Sequence, residues 1–563
     1  MEIILGESMP EIKYLFRYRD MVASTLVEHQ KIIEKNGACW WGWWKRPAET
    51  IRFEIWAELA DQTGRGEPVM VGLFDSGAGT VRIARVIDIV VSRSPGDKSD
   101  THPAVPEDEK GLVPKYYRKS SFSHAWLKLD LIQMDDLDFF GRYSFSSVPK
   151  LPNYSEAVLS MLTNKVVLDA NELRGMDTTI WNIRPRIDSD NDEKVLLSTQ
   201  GLTEAISNEP LYANSQFILH LTDAHFAVDK FRDQHIWRLD GEDDNEGFSL
   251  VESISGALAD QSVGIIVITG DFTFIGSPEE FELAASSVNK LLGAFDLGVE
   301  NLVMIPGNHD IKWTREDAYE DDAKVAVASA EATTNYRDFY ERVYRHNAHK
   351  GLAMGRRYLM PNGMAVEICG VNSSSLETGK NFLAGIGRVQ EKTFEEVSRE
   401  LGWQEESTLA LRILALHHHL SLTENLEPYA DAPRGFGIAV DAPRIQRLAA
   451  QKGVQLVLHG HKHRAFIWRS GVYELPEHTN TKYRLGDLSI VGGGSVGSSE
   501  TEGNRNYFNI LDVSPSGIEL TIFRGENGGT FSAMQKWDAE FSIAGEPKRL
   551  LLGEWTRQEE KLG

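Results

Sequence analysis

Apolar positions in the first part of the chain recur with two periods. Residues 21–33 show the spacing of one helix face. After the run Trp40-Trp41-Gly42-Trp43-Trp44, residues 51–59, 69–74 and 80–91 read as strands. Residues 126–129 alternate like a further strand. A stretch rich in Pro, Gly, Asp and Lys at 94–114 predicts a loop. These elements outline an N-terminal, β-rich α+β domain over residues 1–150. Residues 154–162 predict a helix and 177–185 a loop, so 151–214 is expected to connect two domains.

The texture changes near residue 215. Short apolar runs at 217–222, 264–269, 301–306, 365–371, 409–416 and 454–459, that at 264–269 β-branched, predict buried strands. Helical patterns at 246–260, 279–296, 388–401 and 442–451 lie among them, the second with a core-facing stripe from Phe281 to Phe295. Residues 507–513 and 518–523 flank Ser514-Pro515-Ser516-Gly517 and read as a hairpin. Strands alternating with helices predict a layered α/β domain over 215–545, with two packed sheets or one large one. The long, charged segment 314–349 is helix-prone and is expected to form a cap beside the site described next.

Composition narrows the function classes. At 563 residues the chain exceeds what one core usually holds, and two or three domains are expected. The formal net charge is -24, concentrated after residue 150. Such a surface repels the phosphate backbone and argues against broad, non-specific DNA binding. Two distant cysteines, Cys39 and Cys369, exclude a disulfide framework and fit a reducing cytoplasm. The N-terminus lacks a basic region followed by an apolar stretch, so no signal peptide is expected. No apolar run reaches the length of a membrane span.

The candidate chemistry sits at strand ends. The predicted strands run into Asp223-Ala224-His225, Gly270-Asp271, Gly307-Asn308-His309-Asp310, His417-His418-His419 and Gly460-His461-Lys462-His463. Ligand sites in layered α/β folds collect just outside the carboxyl ends of strands. Carboxylate, amide oxygen and imidazole are hard or borderline metal ligands. The spacing Asp-x-His or His-x-His would aim both side chains one way on an extended segment. The set therefore suits two divalent ions and phosphoester hydrolysis.

In order and content these motifs resemble the calcineurin-like metallophosphoesterase superfamily, whose pattern is D-x-H, G-D, G-N-H-[DE], H and G-H-x-H. The resemblance covers about residues 215–525. It implies two packed mixed β-sheets flanked by helices and a two-metal centre with a metal-bridging hydroxide as nucleophile. By position, Asp223, His225, Asp271 and His463 would hold one ion, and Asp271, Asn308, His417 and His461 the other. His309 would act on the phosphoryl or leaving-group oxygens, oriented by Asp310. The ions implied are manganese, iron, zinc or cobalt. Leu221-Thr222-Asp223-Ala224-His225 and the histidine triplet resemble the bacterial cyclic-nucleotide phosphodiesterase branch more than the protein phosphatases. That points to a phosphodiester of a nucleotide or nucleic acid.

The N-terminal domain loosely resembles PUA-like or EVE-like β-barrel modules, on its short strands, its Trp-rich turn, Tyr116-Tyr117-Arg118 and Trp126. Two readings of Trp40, Trp41, Trp43 and Trp44 stay open: a core corner, or an aromatic pocket that stacks a nucleotide or modified base. On the second reading the chain is a ligand sensor that regulates a phosphoesterase effector.

Overall fold

A computed structural model describes residues 12–18, 25–45, 49, 51–75, 81–91, 103–114, 117, 123–133, 139–145, 167–168, 178–185, 195–196, 204–239, 242, 247–258, 261–311, 322–375, 385–403, 409–421, 437–474, 483–544 and 548–558. The chain divides into two compact units, Met1–Gly201 and Leu202–Gly563. The helix expected at 154–162 lies outside the described residues.

The first unit is built on β1 (Tyr14–Tyr18), α1 (Thr25–Asn36), β2 (Cys39–Trp43), α2 (Phe53–Gly64), β3 (Val69–Asp75), β4 (Val81–Val91), β5 (Ala125–Ile132), β6 (Tyr143–Phe145) and β7 (Ile180–Pro185). They form one sheet in the order β2-β5-β4-β3-β1-β7-β6. Only the β1–β3 pair is parallel. Two expectations fail here. Residues 51–59 look alternating, yet they enter α2, whose buried residues Ile55, Trp56 and Leu59 have helical spacing. Short amphipathic segments satisfy both periods, and packing decides between them. Residues 180–185 are a strand rather than a loop, because they pair antiparallel with β1. The stretch 151–214 thus contributes a strand to the first unit, and the second takes β8 (Ile206–Tyr212) from it.

The tryptophans of β2 alternate between two cores. Trp41 and Trp43 join a cluster with Phe16, Trp56 and Leu127. Trp40 packs on the opposite face with Val105, Val113 and Trp126. Its indole N–H donates to Glu109 (2.8 Å), whose other oxygen pairs with Lys128 (2.6 Å). Trp40, Trp41 and Trp43 are at most 2% exposed, so their rings are core groups and offer no open stacking face. Trp44 is the exposed member, at 38%.

The second unit contains two stacked mixed sheets with helices around them. One runs β8-β12-β13-β14-β15-β17-β16, with β12 (Met354–Leu359), β13 (Ala365–Gly370), β14 (Leu411–Ala415), β15 (Leu456–His459), β16 (Ala465–Glu474) and β17 (Tyr483–Gly493). The other runs β11-β10-β9-β18-β19-β20-β21, with β9 (Phe217–Leu221), β10 (Ile265–Ile268), β11 (Leu302–Met304), β18 (Arg505–Ser514), β19 (Gly517–Glu526), β20 (Ser532–Ala544) and β21 (Arg549–Leu552). One continuous apolar core takes side chains from both. The predicted hairpin is β18–β19.

Helix α3 (Pro278–Ala294) starts at a Ser277/Glu280 capping box with Pro278 in its first turn, and it buries Phe281, Ala284, Ala285, Val288, Leu291 and Leu292. The segment expected as a cap contains α4 (Asp322–Tyr344). Its Tyr336, Phe339, Tyr340, Val343 and Tyr344 are part of the core, so this part packs as a helix against the sheets. No helix among the described residues is long and apolar enough to cross a membrane.

Candidate metal centre

Strands β9, β10 and β11 are parallel neighbours, so their carboxyl ends share one edge. Strands β14 and β15 are parallel neighbours in the other sheet. All five sequence motifs leave these ends, and the fold brings them to one place. The donors form overlapping groups: Asp223, His225 and His463; His225, Asp271 and His309; Asp271, His417 and His461. Within each group the ligand atoms lie within 4.8 Å of one another. Asn308 joins the third group through its side-chain oxygen, 3.0 Å from His417 Nε2.

Asp271 occupies the middle. Its Oδ1 accepts the backbone N–H of His309 (2.8 Å). Its Oδ2 lies 3.2 Å from His417 Nε2 and 3.6 Å from His225 Nε2. At the outer end, His225 Nε2 faces His463 Nε2 at 3.1 Å, and His463 Nε2 is 3.3 Å from Asp223 Oδ1. Asp223 also accepts the backbone N–H of His461 (3.0 Å) and the Thr222 hydroxyl (2.5 Å).

Backbone carbonyls set the imidazole tautomers. His417 Nδ1 lies 2.7 Å from Thr269 O, and His463 Nδ1 lies 2.9 Å from Glu500 O. An oxygen acceptor requires an N–H at Nδ1, which leaves Nε2 as a lone pair. Those lone pairs then face carboxylate and amide oxygens across about a hydrogen-bond distance, acceptor against acceptor. A divalent cation relieves that repulsion, and the donor set fits one. A proton feels the same field. Burial alone would lower the His417 pKa, but the Asp271 charge outweighs it and raises it to about 9. Burial likewise works against charging His463, and Asp223 overrides it to raise the pKa. Asp223 and Asp271 are fully buried, which favours their neutral forms, yet the surrounding imidazoles hold both well below the usual carboxylate range.

The loops are strained where they carry donors. Asp223, His225, Asp271, His461 and His463 all have positive φ, between 48° and 78°. Such conformations cost energy for non-glycine residues and persist where surrounding contacts enforce them. This replaces the extended-segment logic of the sequence. His461 and His463 do not act as a parallel pair, because the turn sends His461 to the Asp271 group and His463 to the Asp223 group. Gly270 has φ of 92° and sits where a Cβ would be 2.8 Å from His417 Nδ1. A Cβ at Gly307 would collide with the Asp271 carboxylate.

One expected role is corrected. Asp310 does not orient His309. Its Oδ1 accepts from Thr273 N (3.0 Å) and Thr273 Oγ1 (2.9 Å), and its Oδ2 from Phe272 N (3.2 Å) and Gly307 N (2.9 Å). It ties the β10 and β11 loops together. Burial and the nearby Asp271 charge push its carboxyl up to about 7. The partner of His309 Nδ1 is the Phe274 backbone carbonyl, at 2.6 Å. Main-chain partners such as Thr269, Phe274 and Glu500 leave no side-chain signature, so no motif marks them. Thr273 had one available, two residues after Asp271.

In the triplet, His417 faces the other donors. His418 instead shares a hydrogen bond between Nδ1 and Ser373 Oγ (2.9 Å), and its ring packs on His461 with centroids 4.6 Å apart. The same Ser373 hydroxyl accepts the backbone N–H of His417 and of His418. His346, which matches no motif, packs by Tyr340 and Tyr344.

Comparison with known proteins agrees with this geometry. A family model described as calcineurin-like phosphoesterase matches residues 218–465, and one described as Pua-like matches residues 14–194. No curated protein matches the chain significantly. Among solved structures, a purple acid phosphatase from yellow lupin (Lupinus luteus) is similar at 12% identity, covering 64% of this chain and 62% of its own, with a TM-score of 0.39. Zinc-bound Vps29 from Entamoeba histolytica is 9% identical, covering 57% and 98%, with a TM-score of 0.24. NAD nucleotidase from Haemophilus influenzae is 11% identical, covering 61% and 53%, with a TM-score of 0.25. The chain thus spans less than two thirds of the lupin enzyme. These scores are low, and the assignment rests on the family models and the motifs. Residues 218–465 belong to the calcineurin-like phosphoesterase family, and residues 14–194 form a Pua-like domain.

Proposed function

We propose that the chain is a two-metal phosphoester hydrolase, and that its substrate is a phosphodiester of a nucleotide or nucleic acid. The observation that carries the reading is the position of Asp271 Oδ2 between His417 Nε2 and His225 Nε2, at 3.2 and 3.6 Å. A carboxylate oxygen between two sets of imidazoles suits a ligand shared by two ions. Asp223, His225, Asp271 and His463 would hold one ion, and Asp271, Asn308, His417 and His461 the other. Manganese, iron, zinc and cobalt all suit this donor set. When bound, such ions supply Lewis acidity and lower the pKa of coordinated water.

The chain's own groups have separate tasks. With Nδ1–H held by Phe274 O, His309 presents Nε2 toward the centre, and in its imidazolium form the Nε2–H can pass to the leaving oxygen. Asp310 keeps Gly307 and Thr273 in register, which fixes where His309 and Asp271 stand. The preference for a diester rests on the motif resemblance. Hydrolysis of bis(p-nitrophenyl) phosphate, measured before and after EDTA treatment and after manganese is restored, tests the reaction. Activity should vanish and return. Undiminished activity in EDTA, or in Asp271→Ala, would sink the two-metal reading.

A further inference from the structure

Two aromatic rings beside the metal centre have no place in the core. Phe274 continues outward from His309, with ring centroids 5.5 Å apart and planes at 28°. Phe231 lies beyond it, 5.3 Å from Phe274 at 50°. Both are half-buried, and neither belongs to the apolar core or to the side chains packed against it. Ile275, next along the loop, is 46% exposed. Lys230 places its ammonium 4.7 Å from the Phe231 ring centre. The result is an apolar, ring-faced shelf with a cation over its outer ring, reaching to within 6.1 Å of the His225 ring.

The shelf is held in place before anything binds. Phe274 N donates to Phe226 O (3.0 Å), and Phe231 N to Val228 O (3.0 Å). Glu280 Oε2 accepts Ile275 N (2.9 Å) and Ser277 N (3.2 Å), and Asn335 Nδ2 donates to Gly276 O (2.7 Å). A surface fixed in this way loses little entropy when a flat group settles on it. The loops that carry it are the same two that carry Asp223, His225 and Asp271.

We propose that Phe274 and Phe231 form the subsite that stacks the substrate's nucleobase while its phosphoryl group lies at the metal centre. This deepens the function proposed above and rests on it for the position of the phosphoryl group. Phe231 and Phe274 offer no side-chain hydrogen-bonding group, so the subsite would accept any base by its ring face. Lys230 would attract the negative charge that accompanies a nucleotide.

The test compares adenosine 5′-monophosphate with ribose 5-phosphate, which has the same sugar and phosphate but no base. Each is titrated calorimetrically into manganese-loaded full-length protein. The wild type should bind adenosine 5′-monophosphate about tenfold tighter, a ratio within the usual worth of one base–aromatic stack. Phe231→Ala should reduce the ratio to about twofold and leave ribose 5-phosphate binding unchanged. Phe231→Leu keeps an apolar contact with Phe274, guards against misfolding, and should also lose most of the preference. Equal binding of both compounds by the wild type, or equal weakening of both in Phe231→Leu, would overturn the shelf. Preferential binding with no turnover of any phosphodiester would overturn the proposed reaction and leave the shelf standing. Turnover without preference would overturn the shelf alone.

Discussion

Replacing Asp310 with asparagine separates two roles that the motif alone does not distinguish. The carboxylate is fully buried and accepts four bonds, two at each oxygen. An amide must turn its NH2 toward one pair of donors. At the Oδ2 end it would orphan Phe272 N and Gly307 N together. At the Oδ1 end the Thr273 hydroxyl can rotate to accept, so Thr273 N alone loses its partner. The second orientation is therefore adopted. An orphaned buried donor costs about 1–3 kcal/mol, and the surviving bonds lose their charge assistance. Against this, the substitution removes a negative charge near Asp271, whose influence and burial already push the carboxyl up to about 7. The net expectation is a loss of about 2 kcal/mol. The melting temperature of the metal-free protein should drop by about 3 °C. Because the bonds to Gly307 and Thr273 position Asp271 and His309, manganese affinity measured by calorimetry should fall about tenfold. Unchanged melting and metal affinity, with only a lower kcat and a shifted pH profile, would refute this. That outcome would mean Asp310 acts through the His309 imidazole.

Three further outcomes follow from the same geometry. Gly307→Ala places a methyl group against the Asp271 carboxylate, so manganese affinity should fall by more than about tenfold while the far-ultraviolet spectrum is kept. His309→Asn should keep full metal stoichiometry and lose about 10²–10⁴ in kcat, and loss of metal instead would make His309 a ligand. In the Pua-like domain, burial depresses the His29 pKa from 6.5 to about 4. The unfolded chain takes up that proton first as pH falls, so stability is complete above about 6.5 and declines toward 4, by at most about 3 kcal/mol. Urea unfolding across that range should show the decline, and His29→Gln should flatten it.

The donor set was legible from sequence because each donor follows a short apolar run whose length suits a buried strand. Five such runs in order left little freedom about where Asp223, Asp271, Asn308, His417 and His461 would meet. The strand assignments at 217–222, 264–269 and 454–459 rest on the same property, and the structure agrees with them. Residues 51–59 and 180–185 failed because their patterns are short. There the helix or strand is chosen by the sheet face or neighbouring strand available, as when Ile180 and Trp181 pair with β1.

What sequence determined by itself, then, is the inventory of donors and the strand ends that carry them. Tertiary structure decided which donor faces which. The left-handed turns at Asp223, His225, Asp271, His461 and His463 separate His461 from His463, and long-range contacts impose them. It also decided that Phe274 O, not Asp310, holds His309. A main-chain carbonyl has no residue identity, so its role exists only once the loops are packed together.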